Sequence, residues 1–190
     1  EQPLDVVRTV KNAVLRTAHE PRVDGQRAVR IDVDDFEVVE TERRTGAAVA
    51  LLVDLSYSMA LRGTWGAAKS TAMALHSLVT TRFPQDAIQI IGFSSTAQVL
   101  RPATLAELSV DTLQGTNLQH GLMLARRFLA HHRDAEPVVL IVTDGEPTAH
   151  LEDDGTPFFC WPPMPETIAR TVAEVERVAR TGATVNVFAL

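Results

Sequence analysis

The sequence predicts an α/β fold of three layers: a doubly wound, mainly parallel sheet between helices, with one short antiparallel strand at its edge. Three observations predict it. Four short apolar runs rich in Val and Ile, at 47–53, 87–93, 138–143 and 184–190, are bounded by turn residues in the manner of buried strands. Helical periodicity fills the segments between them. Strands and helices alternate, which joins parallel strands through helices that cover both faces of the sheet.

Taken in order, residues 4–18 place Val7, Val10 and Val14 on one face, the pattern of an amphipathic helix. Residues 29–40 alternate in part (Ile31, Val33, then Phe36 and Val38) and are acidic, which predicts an edge strand. After the first buried strand, Trp65, Ala68, Ala72, Leu75 and Val79 line one side of a helix. The strand at 87–93 runs into Ser94-Ser95-Thr96, a hairpin-like turn, and 97–100 reads as the short edge strand. Leu118, Leu122, Ala125 and Leu129 form the apolar face of the next helix, and Ile168, Val172, Val175 and Ala179 that of the last. Between strand 138–143 and that last helix lies a loop of about twenty residues, long for a compact domain. It carries Phe158-Phe159-Cys160-Trp161, too aromatic for disorder. Its rings either fold inward as a lid over the sheet edge or line a docking surface. These boundaries predict an extension over 1–45 and a domain over 46–190. An open sheet of this kind calls for a further covering helix after Leu190.

Composition excludes several function classes. With 45% hydrophobic and 22% charged residues, the chain is not a disordered segment. A net charge of −6 argues against neutralising a nucleic-acid backbone. One cysteine, Cys160, excludes an internal disulfide framework and any zinc cage of two thiolates. No apolar run approaches the roughly 18 residues of a membrane span, and no signal peptide opens the chain. A soluble, acidic, cytoplasmic domain is the expectation.

The polar residues fall where they can act together. The first strand runs straight into Asp54-Leu55-Ser56-Tyr57-Ser58, the third long strand into Asp144-Gly145-Glu146, and Gly115-Thr116-Asn117 opens a helix. In an open α/β sheet, the carboxyl ends of strands at a topological switch point form the ligand crevice. Two carboxylates, Asp54 and Asp144, and three hydroxyls, Ser56, Ser58 and Thr116, therefore converge. All are hard oxygen donors, suited to Mg²⁺, with Mn²⁺ or Ca²⁺ as alternatives, rather than to zinc or copper. With only two carboxylates, such an ion keeps positive charge and an exchangeable position that a carboxylate from another molecule could fill.

Asp54-x-Ser56-x-Ser58, the Thr of Gly-Thr-Asn and the Asp of Thr-Asp-Gly, in that order and at those strand ends, resemble the von Willebrand factor type A (VWA) domain over roughly residues 46–190. The resemblance implies a metal-ion-dependent adhesion site on Asp54, Ser56, Ser58, Thr116 and Asp144, the last directly or through water. It implies a protein partner that offers an Asp or Glu to the metal. The texture is closer to bacterial intracellular members, such as the magnesium chelatase D-type subunit and proteins that work beside MoxR-type AAA ATPases, which makes an AAA-type ATPase the implied partner.

An enzyme is not expected. A dinucleotide-binding glycine loop, a Walker lysine and a Gly-x-Ser-x-Gly elbow are all absent, and position 56 is Ser where an aspartyl phosphatase has its second Asp. The alternative function is a Mg²⁺-dependent phosphoryl hydrolase using the same carboxylates. The histidines His19, His76, His120, His131, His132 and His150 read as surface residues, and Glu152-Asp153-Asp154-Gly155 as a solvated turn. Thr116 has a second reading as the N-cap of its helix.

Overall fold

The computed structural model describes residues 4–18, 29–38, 46–108 and 114–190. The chain forms two compact units, Glu1–Arg44 and Thr45–Leu190.

In the first unit, α1 (Val6–Thr17) starts at Asp5, whose carboxylate accepts the Arg8 amide at 2.9 Å. The helix is where the valine spacing predicts it, but Val7, Val10 and Val14 are exposed and Thr9, Ala13 and Thr17 are the buried face. That face has polar work: Thr9 Oγ1 accepts the Glu37 amide at 3.1 Å, and Arg16 binds the buried Asp35 carboxylate at 2.8 Å. The edge strand expected over 29–40 is not formed in the described part, 29–38. Val33–Asp35 is a 3₁₀ turn, and among the described residues the isolated strand-like pairing is an antiparallel bridge from Leu4 to Val38. Aspartates are the reason. Asp32 Oδ1 accepts the Val33 amide at 2.6 Å and Asp35 Oδ2 accepts the Asp32 amide at 2.8 Å, so local side-chain bonds take the amides a strand would use.

The second unit is built on β1 (Ala47–Asp54), β2 (Ala87–Phe93), β3 (Ala97–Leu100), β4 (Glu136–Thr143) and, beyond a separate hairpin of β5 (Ala149–Leu151) and β6 (Pro157–Phe159), β7 (Thr184–Ala189). The main sheet runs β3-β2-β1-β4-β7, with β3 antiparallel to β2 and every other pair parallel. This is the predicted doubly wound sheet with its one antiparallel edge. β1 alternates between two cores. Ala48, Ala50 and Leu52 pack with Leu122, Ala125 and Leu129 of α5 (Leu118–Ala130) and Val178 of α6 (Pro165–Ala179). Leu51 and Val53 pack with Met59 of α2 (Tyr57–Leu61), Ala68 and Ala72 of α3 (Trp65–Arg82) and Leu105 of α4 (Pro102–Glu107). Helices on both faces bury β1 from Ala48 onward, which is why its sequence is a continuous apolar run up to Asp54.

Two features depart from the expectation. The long loop after β4 has structure of its own, the antiparallel β5–β6 pair. In α6 the buried stripe is Thr167, Thr171, Glu174 and Val178, whereas Ile168 and Val172 are exposed. Each buried polar group on this stripe has a partner: Thr167 Oγ1 lies 2.9 Å from His150 Nδ1, Thr171 Oγ1 donates to the Thr167 carbonyl, and Glu174 is bound by Arg126 and Arg177. Among the described residues no helix is long and apolar enough to cross a membrane.

Candidate functional site

The strand order reverses between β2 and β4 around β1, so the carboxyl ends of β1 and β4 lie side by side at the switch point. β1 ends on Asp54 and β4 is followed at once by Asp144. Asp54 is fully buried. Its Oδ1 accepts the Ser56 amide at 2.8 Å and its Oδ2 accepts the Thr143 hydroxyl at 2.6 Å. Burial pushes this carboxyl above its ordinary range of about 3.8, and the neighbouring Asp144 charge acts in the same direction; the hydrogen bonds from Ser56 and Thr143 oppose it.

Ser56 opens α2 but its hydroxyl does not cap the helix. Ser56 Oγ instead lies 2.9 Å from Ser58 Oγ, and Ser58 Oγ donates to Asp144 Oδ1 at 3.0 Å. The other Asp144 oxygen, Oδ2, is buried with no hydrogen-bond partner. The nearest cation is Arg62, whose Nε is 3.6 Å from that oxygen and whose Nη1 donates to the Asp144 carbonyl at 2.6 Å.

Thr116 precedes α5 without capping it. The cap is Asn117, whose Oδ1 accepts the His120 amide at 2.9 Å, so the second reading of Thr116 does not hold. The Thr116 backbone is clamped to the hairpin: its amide donates to Thr148 Oγ1 at 2.9 Å and its carbonyl accepts the Thr148 amide at 3.2 Å. Gly115 makes the turn possible. Its φ is +105°, and a Cβ there would lie 3.1 Å from Ala149 Cβ and 3.2 Å from Phe159 Cδ2. Gly115→Ala is therefore expected to cost about 1–3 kcal/mol, through strain and crowding together, and to shift Thr116. Urea unfolding with and without Mg²⁺ measures both, the second as a smaller metal-induced gain.

Ser56, Ser58, Thr116 and Asp144 line one cleft of about 810 Å³, with Tyr57, Leu61, Phe159 and Trp161 among its other walls. Asp54 stands one layer behind Ser56. The structure thus brings four of the five predicted residues to the cleft and links the fifth to them through the Ser56 amide and Thr143. Sequence reasoning missed Arg62, Thr143 and Thr148. Thr143 was in plain view as the residue before Asp144, whereas nothing in the spacing marks Arg62. The aromatic rings divide: Phe158 turns inward onto His150, whereas Trp161 is 70% exposed and Phe159 40%, both on the wall of the cleft. Glu146 is exposed at the rim, and Cys160 is a free thiol.

The donor set fits a hard divalent cation. Two buried carboxylates share, among the described residues that line the cleft, one guanidinium, Arg62, and the Asp144 oxygen nearest it makes no hydrogen bond. Among the predicted surface histidines, His150 is a correction: it is buried, 1% exposed, against Thr167 and Phe158. His131 is exposed, and His76, His120 and His132 are half-buried, with His120 Nδ1 accepting the Ala97 amide at 3.0 Å. His19 lies outside the described residues.

Comparison with known proteins agrees with the fold. Residues 47–190 match the family described as Rv0959-like protein, vWA domain, and residues 1–41 match the Rv0959-like third domain. The Mycobacterium tuberculosis protein Rv0959 and the Mycobacterium bovis protein Mb0984 are each 53% identical over 196 residues, covering all of this chain and 28% of their own length. The chain thus spans little more than a quarter of these relatives. Among solved structures, the pilus adhesin SpaC of Lactobacillus rhamnosus GG is similar at TM-score 0.61 and 20% identity, over 78% of this chain and 25% of SpaC. An aerotolerance-related membrane protein of Bacteroides fragilis is similar at TM-score 0.54 and 21% identity, over 76% and 67%. Identities this low speak for the fold alone. The family match extends over most of the chain, and on it the chain belongs to the Rv0959-like proteins, with a von Willebrand factor type A domain at residues 47–190.

Proposed function

We propose that the domain is a metal-dependent protein-recognition module, in which Asp54, Ser56, Ser58, Thr116 and Asp144 hold a Mg²⁺-type ion. The observation that carries this reading is the buried Asp144 carboxylate at the cleft, whose Oδ1 accepts from Ser58 and whose Oδ2 has, among the described residues, no hydrogen bond and only Arg62 at 3.6 Å. The ion would supply a positive charge with an exchangeable position, able to take an Asp or Glu of a partner. The chain's own residues do the rest. Asp54 orients the α2 turn through the Ser56 amide, and the hairpin fixes Thr116. Tyr57, Leu61, Phe159 and Trp161 offer apolar contact around the docked carboxylate. Aromatic anchors around a desolvated charge are the usual make-up of a binding hot spot.

A catalytic reading finds less support. Among the described residues that line the cleft there is no His, Cys or Lys to act as a base or nucleophile, and Arg62 is the only cation. We therefore favour binding over phosphoryl hydrolysis, and a cytoplasmic AAA-type ATPase as the partner the VWA resemblance implies.

The test is binding of such an ATPase from the same organism, measured by interferometry in Mg²⁺ and in EDTA. Affinity is expected to fall at least tenfold in EDTA and in Ser58→Ala. Equal affinity in both buffers would sink the metal-dependent reading. Turnover of a generic phosphoester, abolished by Asp54→Asn, would move the assignment to the hydrolase. In the same assay Trp161→Ala is expected to weaken binding about tenfold or more while leaving the unfolding free energy within about 0.5 kcal/mol, as for an exposed side chain.

A further inference from the structure

We infer that His150, Glu152 and Glu166 form a second cation site that takes a divalent transition metal of the zinc class. His150 lies in β5, Glu152 just beyond it and Glu166 in the first turn of α6, and one donor atom from each lies within 4.8 Å of the others. The second observation is the state of the histidine. The ring is 1% exposed, and its Nε2 is buried without a hydrogen-bond partner, 3.7 Å from Glu152 Oε1. Burying such a nitrogen unpaired is costly, and a metal ion satisfies it. His150 Nδ1 lies 2.9 Å from Thr167 Oγ1. When Nδ1 carries the proton and donates it there, the lone pair is on Nε2, facing Glu152; this is the outer hydrogen bond that ligating histidines habitually make.

Arg170 supplies the outer support for both carboxylates. Its Nη2 is 2.9 Å from Glu166 Oε1 and 3.6 Å from Glu152 Oε2, and its Nη1 is 2.9 Å from Asp153 Oδ1. Glu152 Oε1 is left on the histidine side. Three carboxylates around one guanidinium leave two negative charges in excess, the charge of one divalent ion. An imidazole nitrogen with carboxylate oxygens suits zinc and its neighbours, whereas Mg²⁺ and Ca²⁺ prefer oxygen alone. Metal–donor distances near 2.0–2.2 Å require the donors to close up by about 1 Å, within reach of two partly exposed glutamates. The bound ion would tie the β5–β6 hairpin to α6. This site does not depend on the cation proposed at Asp144, and the two select different metals.

The experiment titrates the metal-free chain with Zn²⁺, and separately with Co²⁺ for its visible absorption, in millimolar Mg²⁺. One equivalent is expected to bind, to raise the unfolding temperature and, for Co²⁺, to give the bands of a nitrogen-and-oxygen site. Affinity is expected to fall at least tenfold in His150→Gln and in Glu166→Gln and to be unchanged in Asp54→Asn. Glu166 is exposed, so its variant reports on the site even where the buried histidine variant fails to fold. No binding up to millimolar Zn²⁺, equal binding by Glu166→Gln, or loss confined to Asp54→Asn would each overturn the inference and leave an ion-pair network centred on Arg170.

Discussion

Asp54→Asn is expected to unfold at a higher temperature than the parent chain in EDTA and to show no response to Mg²⁺. The carboxylate is fully buried behind the cleft. Burial, with Asp144 adding to it, raises its pKa above the ordinary 3.8. A carboxyl whose folded pKa is raised contributes stability below its unfolded value and loses it as pH rises through the folded value. Above the unfolded pKa of Asp54 the metal-free chain therefore loses stability that the neutral carboxyl contributes at low pH. Asparagine removes the charge and keeps the contacts: Oδ1 still accepts the Ser56 amide, and Nδ2 donates to a Thr143 hydroxyl that rotates to receive it. The advantage of the variant over the parent should be absent below about pH 4 and grow as pH rises through the Asp54 pKa. With Mg²⁺ the order reverses. Binding to the folded state alone adds about 2.7 kcal/mol at one hundred times Kd, and only the parent gains it. Calorimetric unfolding of both chains across pH, in EDTA and in Mg²⁺, checks each part. A variant less stable than the parent in EDTA at pH 7, or one that gains as much from Mg²⁺, contradicts the account.

Removing both arginines from Glu174 is expected to produce the largest loss of stability. Glu174 is fully buried, with Oε1 2.7 Å from Arg126 Nε and Oε2 2.7 Å from Arg177 Nη1. Either arginine alone leaves one oxygen bonded. Arg126→Met with Arg177→Met leaves a buried charge with neither partner, a change that costs about 3–5 kcal/mol. Adding Glu174→Leu to that pair should recover most of the loss, because the penalty belongs to the orphaned carboxylate rather than to missing attraction. Urea denaturation of the double and triple variants measures it. A double variant within about 1 kcal/mol of the parent would show that the Glu174 pocket admits water.

Much of the second unit was legible in the sequence because its signals are backbone signals. A fully buried strand such as Ala47–Asp54 has to be a continuous apolar run, and the α5 stripe of Leu118, Leu122, Ala125 and Leu129 packs as its spacing requires. The convergence of Asp54 with Asp144 follows from topology alone. What the sequence hid has one physical theme, polar groups satisfied by distant partners. α1 and α6 were found by their apolar spacing, yet each buries its threonine face. Arg16–Asp35 and Arg126–Glu174–Arg177 satisfy charges that a hydrophobic pattern assigns to solvent. The aspartates of 32–35 turned an alternating run into a 3₁₀ turn for the same reason. His150 reads as a surface residue because Thr167 and Glu166 approach it from a helix some fifteen residues later, and Arg62 reaches Asp144 across 82 positions.

The most direct test of the central claim is a crystal of the chain equilibrated with millimolar Mn²⁺ and measured at the manganese absorption edge. The account predicts an anomalous peak among Ser56, Ser58, Thr116 and Asp144, absent from crystals of Asp54→Asn. A structure with Mn²⁺ in the solvent and no peak there, or a peak that persists in the variant, would contradict it.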